Sequence, residues 1–251
     1  MKKISERFRL ILLLLGLFIY VSLVIHFSFG IPGGADTTFI SSENYTSTPD
    51  GRADPGGVIV TMTIDATLQD GSWKAYVGNI SGKLVLRNSG GWSIYEWPFD
   101  ASTLGGFIFA SRNDSVNWDN VLCANDSTIL AEQDFLGMSS TAADNINNTF
   151  NWTEHDAMAM SGPSDIASDS CSATATYVNG TSQPADDTAF FQELLLYDNT
   201  DLNFLYGTFI EQSLFGYDSN STINSTRDFQ LIVAENDSSA GTTYYFYADL
   251  Q

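Results

Sequence analysis

From Val58 onward the hydrophobic residues of this chain fall at every second position, and turn signals interrupt them at short intervals. Val60, Met62, Ile64, Ala66 and Leu68 alternate with Ile59, Thr61, Thr63, Asp65 and Thr67, which is the pattern of a strand with one face buried and one wet. Asp70-Gly71 then supplies a turn, Trp73 to Ile80 a second strand, Ser81-Gly82 another turn, and Lys83 to Arg87 a third strand. Ser89-Gly90-Gly91 leads into a fourth, Trp92 to Trp97, and Gly106 to Ser111 makes a fifth. Strand and turn signals alternating every 8–12 residues or so are the spacing of a β-meander. Strands resume late in the chain with Ala173 to Val178, Phe191 to Tyr197, Phe204 to Glu211, Asp228 to Ala234 and Tyr244 to Leu250. A total of about ten strands predicts a mainly β fold, an antiparallel β-sandwich.

The middle third breaks this rhythm. Ser127 to Leu136 and Ala142 to Phe150 carry apolar residues at helical spacing, with Asn125, Asp126 and Ser140 available as N-caps. Cys123 and Cys171 bracket the segment, which is therefore expected to be a small helical insertion at about residues 125–152, stapled to the sheet at its ends. Glu154 to Ser170 would follow as an exposed loop.

Ahead of the β pattern lies one apolar run, Leu10 to Phe29, interrupted by Gly16, Tyr20, Ser22, His26 and Ser28. As a helix it rises about 30 Å, the thickness of a bilayer's hydrocarbon core. Lys2, Lys3, Arg7 and Arg9 precede it and the next basic residue is Arg52. The positive-inside rule then predicts a cytoplasmic segment at 1–9, a transmembrane signal anchor at 10–29, and everything beyond outside the cell. A cleaved signal peptide is the competing reading, with Ser28-Phe29-Gly30 as a small-X-small site. The run is longer than the apolar core of about 7–15 residues usual in such peptides, which favours the anchor. A type IV pilin leader would set a glycine just ahead of the run, and Ser5-Glu6-Arg7-Phe8-Arg9 has none. Residues 30–57 contain Ile31-Pro32-Gly33-Gly34, Ser47-Thr48-Pro49-Asp50-Gly51 and Asp54-Pro55-Gly56-Gly57 and are expected to form a flexible stalk. That leaves 58–251 as an extracellular β domain.

Export makes sense of three further features. Ten Asn-X-Ser/Thr acceptors occur, at Asn44, Asn79, Asn113, Asn125, Asn147, Asn151, Asn179, Asn220, Asn224 and Asn236. Random placement of 17 asparagines and 50 Ser plus Thr would supply about 3 or 4, so selection for N-glycosylation is the better explanation, although a chain rich in these residues also generates acceptors freely. The even cysteine count in an oxidising compartment predicts one disulfide, Cys123 to Cys171, with a pair of buried thiols as the alternative. Closing that loop is worth on the order of 4 kcal/mol in the chain-entropy account. The net charge is -20, and without residues 1–29 it becomes -23, from 6 basic and 29 acidic residues. Such a surface repels phosphate, which argues against a nucleic-acid partner.

The run Trp73-Lys74-Ala75-Tyr76-Val77-Gly78-Asn79-Ile80-Ser81-Gly82 resembles a block found in a group of exported archaeal surface proteins. Phe109-Ala110-Ser111-Arg112-Asn113, Val116-Asn117-Trp118 and the terminal Tyr244-Tyr245-Phe246-Tyr247 extend the resemblance over most of the exported region. It implies a surface protein and transfers no catalytic residue.

Site chemistry is sparse. Glu154-His155-Asp156 is the one exported cluster around an imidazole, and consecutive side chains diverge, so the three cannot form a triad among themselves. His155 is expected in an exposed loop. Hard oxygen ligands for calcium are present in Asp218-Ser219-Asn220, Asp198-Asn199-Thr200-Asp201 and Asp186-Asp187, none with the full EF-hand loop. Trp73, Trp92, Trp97, Trp118 and Trp152 could form a sugar-stacking platform or, as large aromatics on strands more commonly do, the core. No catalytic, cofactor or metal residue is assigned. The expectation is a membrane-anchored, N-glycosylated, acidic cell-surface protein with a structural or adhesive envelope role, as a filament or surface-layer component. Its partners would be the membrane and other surface proteins or glycans. An extracellular glycan- or calcium-binding module is the alternative, and an enzyme is not expected.

Overall fold

β-Strands joined by long-range antiparallel pairing make up most of the regular structure, with few helices. The computed structural model describes residues 31–48, 52–53, 55–99, 104–211, 214–218, 226–236 and 241–251. The apolar run at 10–29 lies outside them, and among the described residues no helix is long and apolar enough to cross a membrane.

In chain order the strands are β1 (Gly33–Gly34), β2 (Trp73–Gly78), β3 (Lys83–Arg87), β4 (Ser93–Pro98), β5 (Gly106–Ser111) and β6 (Val121–Cys123). Helices α1 (Asp126–Leu136) and α2 (Ile146–Thr149) follow, then β7 (Met158–Ala159), β8 (Asp165–Ile166), β9 (Ala173–Ala175), β10 (Gln192–Asp198) and β11 (Phe204–Phe209). The last are β12 (Leu214–Phe215), β13 (Thr226–Arg227), β14 (Phe229–Ala234) and β15 (Tyr245–Leu250).

The main sheet runs β1-β15-β5-β11-β10-β6, with β9 also on β10. Its centre is covered on both faces. Successive residues of a strand point to opposite sides, and in β10 Leu195 joins Ala110, Tyr206, Ile129, Leu136 and Leu231 in one cluster. Leu194 and Leu196 join Phe109, Trp118, Met158 and Leu205 in another. All seven residues of β10 are consequently buried. At Gly207 on β11 the backbone approaches Phe109 so closely that a Cβ would sit 3.0 Å from its Cδ1, which explains a glycine in mid-strand.

Helix α1 starts where the sequence places it. Asn125 accepts hydrogen bonds from Ser127 N and Thr128 N, Thr128 Oγ1 accepts from Asn125 N, and Gly137 ends the helix at φ 70°. The second helix is shorter than the span Ala142 to Phe150 suggests. Asn145, rather than Ser140, takes the cap by accepting from Asn148 N, and only Ile146–Thr149 is helical.

Three expectations are corrected. The meander does not form: β2 pairs with β14, β5 lies between β15 and β11, and of the first five predicted strands only β3 and β4 pair with each other. β5 is buried on both faces, by the cluster that holds Ala110 and by the one that holds Phe107 and Phe109, which suits it to the centre of the main sheet with β15 and β11 on its two edges rather than β4. Residues 58–68, expected as a half-buried strand, form no strand and leave Ile59 99%, Ile64 80% and Leu68 81% exposed. Nor is Glu154 to Ser170 an exposed loop, for it holds the β7–β8 hairpin, which buries Met158, Met160 and Ile166 against the main sheet. Within the expected stalk, Gly33–Gly34 forms β1 on the edge of β15.

Candidate interaction surface

The β3–β4 hairpin is made of strongly β-prone residues, yet every one of its positions is exposed. Its register sorts the side chains into two unlike faces. Leu84 lies opposite Trp97 and Leu86 opposite Tyr95, so these four share one face, on which the Tyr95 and Trp97 rings sit 4.7 Å apart. Lys83, Val85 and Arg87 share the other with Glu96, whose carboxylate Lys83 approaches to 2.5 Å. That ammonium donates a hydrogen bond and holds the Glu96 carboxyl below its ordinary range. An apolar stripe backed by an ion-paired stripe is the surface of a sheet layer made to be covered on one side.

Residues 58–68 carry the complementary half of such a layer. Val58, Val60, Met62, Ile64 and Leu68 fall at alternate positions, all exposed, with Thr61, Thr63, Asp65 and Thr67 between them. The segment belongs to none of the ladders of the described residues.

The acceptor asparagines lie elsewhere. Asn44, Asn79, Asn125, Asn147, Asn151 and Asn179 are exposed and Asn113 and Asn236 half-buried, while Asn220 and Asn224 lie outside the described residues. Asn79 falls just past the end of β2, which resolves its place inside the strand predicted from Trp73 to Ile80. No acceptor lies within 58–68 or 83–98.

The disulfide joins Cys123 and Cys171 with a Cα separation of 5.0 Å. It does more than staple an insertion. β6 pairs with Leu196 to Asp198 and β9 with Gln192 to Leu194, so the two short strands lie end to end along one edge of β10 and the bond ties them where they meet. His155 completes this junction. Its ring is buried, at 1% exposure, contrary to the expectation of an exposed loop. Nε2 accepts from Ser170 N and Cys171 N at 3.0 and 2.9 Å, so Nδ1 carries the hydrogen that it donates to the Asp156 carbonyl at 2.7 Å. Both ring nitrogens are thus engaged with backbone around the disulfide.

Two of the acidic turns are similarly occupied, and Ser219 and Asn220 of the third lie outside the described residues. Asp198 is buried and accepts from Asn117 N, Thr200 N, Asp201 N and Asn203 Nδ2. Asp186 accepts from Thr188 N and Oγ1, bonds that hold its carboxyl below the usual range. The tryptophans do not line one face: Trp118 is buried, Trp73 and Trp152 are half-buried, and Trp92 and Trp97 are exposed around the hairpin.

Two buried polar groups have no signal in the sequence pattern. Arg112 clamps Glu132 with bonds of 2.8 and 2.6 Å and lies 3.5 Å over the Phe135 ring, locking α1 to the end of β5. Glu193, fully buried in β10, accepts from Ile232 N of β14 at 2.9 Å through Oε2, while its Oε1 has no hydrogen-bond partner among the described residues. Burial raises its pKa well above the ordinary carboxyl value, against the opposing pull of the Ile232 N–H. A charged residue in a run of leucines looks like a strand's wet face, which is why Glu193 is missed.

The chain defines an antiparallel β-rich domain with one disulfide. No protein-family model matches it, and no curated protein and no solved structure does either.

Proposed function

We propose that this is a membrane-anchored, N-glycosylated, acidic cell-surface protein with a structural or adhesive role in the envelope, of the class from which filaments and surface layers are built, and not an enzyme. The observation that carries the reading is the distribution of the acceptors: of the eight among the described residues six are exposed and none is buried. The capped helix fits it too. Asn125 caps α1 through Oδ1, whereas a glycan bonds to Nδ2, so both uses are compatible. The layering of β14, through Leu231 and Val233, against Leu195 and Tyr206 of the main sheet supports a sandwich-like architecture. The partners are the membrane, through residues 10–29, and other surface proteins or glycans, with no nucleic acid.

A glycan-binding module is the second reading, favoured by the exposed Tyr95 and Trp97 pair. Leu84 and Leu86 flank that pair where a sugar site needs hydrogen-bonding side chains, so the first reading is preferred. The test is fractionation of the full-length protein from its own cells followed by mass spectrometry of its glycopeptides. Retention through carbonate washes, release by detergent and hexose on several acceptor asparagines are the expected results. A mature N-terminus at Ile31 would remove the anchor, and ten unmodified asparagines would remove the glycoprotein.

A further inference from the structure

Between Val58 and Trp97 most of the exposed large apolar residues fall in two places, a strand-like segment without a sheet and a hairpin without a third strand among the described residues. Unpaired edges that expose apolar side chains recruit strands, and natural proteins otherwise blunt them with charge, proline or cover. Both outer edges of this hairpin are unpaired among the described residues, and the Leu84, Leu86, Tyr95 and Trp97 face is bare. Residues 58–68 have the alternation needed to extend that face by one strand. Within the chain itself the two do not cover each other, since Ile64 and Leu86 are 80% and 57% exposed.

We propose that residues 58–68 of one copy add as a strand to the β3–β4 hairpin of a neighbouring copy, with Val60, Met62, Ile64 and Leu68 continuing the face formed by Leu84, Leu86, Tyr95 and Trp97. The occupant is a second copy because one chain carries both halves. Neither half contains a glycan acceptor, so sugars on the acceptors leave the junction open. Along the segment Asp65 is the one charge, and the opposite stripe of the hairpin sets two cations, Lys83 and Arg87, against the single carboxylate of Glu96, so it carries a net positive charge to meet it. Donor and acceptor are different surfaces, so the contact is heterologous, and repeating it produces an open-ended row unless a ring closes. This deepens the structural reading and rests on it for the common orientation of copies anchored in one membrane.

The experiment uses full-length protein in vesicles of its native lipids. Differently tagged copies carrying Ile64→Cys and Leu86→Cys are mixed and treated with a bismaleimide, which leaves the native disulfide intact. The expected product links residue 64 of one tag to residue 86 of the other, and a chain bearing both substitutions gives a ladder of sizes extending beyond the dimer. Ile64→Asp should weaken association about tenfold or more, and Ile64→Val should restore it. Because residue 64 is exposed in the single chain, the near-ultraviolet circular dichroism of both variants should match the parent. A 64-to-86 link formed only within one copy, a doubly substituted chain whose products stop at dimer, or no adduct overturns the proposal. Monomers that remain anchored and glycosylated refute the strand addition alone, whereas loss of anchoring and glycans refutes the surface-protein reading by itself.

Discussion

The tripeptides Leu194-Leu195-Leu196 and Leu84-Val85-Leu86 are nearly the same chemistry in two strands with opposite fates. The first is wholly buried, and the second is exposed at all three positions. What differs is the number of neighbours. β10 has β11 on one edge, β6 and β9 on the other, α1 and β14 over one face and the β7–β8 hairpin over the opposite one, whereas β3 has β4 alone. Local sequence makes a strand, and burial is conferred by long-range partners. If the N-terminal elements carry their own apolar face unburied, the stability of the domain resides in the main sheet and the hairpin is free to serve another purpose.

The largest effect expected from that contrast is in the core. Leu195→Ala removes a side chain packed among Ile129, Leu136 and Tyr206 and leaves a cavity that rigid neighbours cannot fully close. Its expected cost is about 2–5 kcal/mol, read as a lowered urea midpoint with an unchanged slope. A loss below about 1 kcal/mol would mean that the two strands are not as different as their burial indicates.

The next effect is electrostatic and confined to the same strand. Because the Glu193 pKa is raised in the folded state, that state keeps a proton which the unfolded chain releases above its ordinary value of 4.5. The stabilisation is therefore fully present below that value and is lost as pH rises toward the folded pKa. Glu193→Gln mimics the protonated acid, still accepts from Ile232 N through its amide oxygen, and cannot ionise. Urea midpoints measured at pH 5 and pH 8 should fall for the parent and fall less for the variant. Equal slopes in the two proteins would show that Glu193 already carries its charge when buried. The hairpin has no counterpart, since Glu96 there is exposed and its carboxyl is held low by Lys83.

How much of this is readable in the sequence follows the same division. The extents of β3 and β5, the start of α1 at its Asn125 cap and the disulfide are all visible, because period, capping and cysteine parity are local or nearly so. Strand order is not. Nothing in Trp73–Gly78 announces that its partner is Phe229–Ala234, more than a hundred residues away, and a turn signal such as Ser81-Gly82 suggests the nearer and wrong neighbour. The same gap accounts for residues 58–68, whose alternation promises a buried face without saying which surface supplies the other side. His155 is misplaced and Glu193 goes unnoticed in the sequence for a different reason. Polar residues are buried when backbone groups satisfy them, and here those groups come from Ser170, Cys171 and Ile232, remote in sequence.

The smallest effect expected is also the sharpest test of the contrast. Leu86→Ala makes the same chemical change as Leu195→Ala in a strand of similar composition, but the side chain is 57% exposed and shares its face with Leu84, Tyr95 and Trp97. Little apolar area returns to water and no closed cavity is left, so transfer and cavity terms both shrink. What remains is the loss of β propensity and of one cross-strand contact with Tyr95, together less than about 1 kcal/mol. The urea midpoint of the dilute, detergent-solubilised monomer should hardly move. A cost comparable to that of Leu195→Ala would mean that the hairpin's apolar face is covered within its own chain, and the contrast between the two leucine strands would collapse.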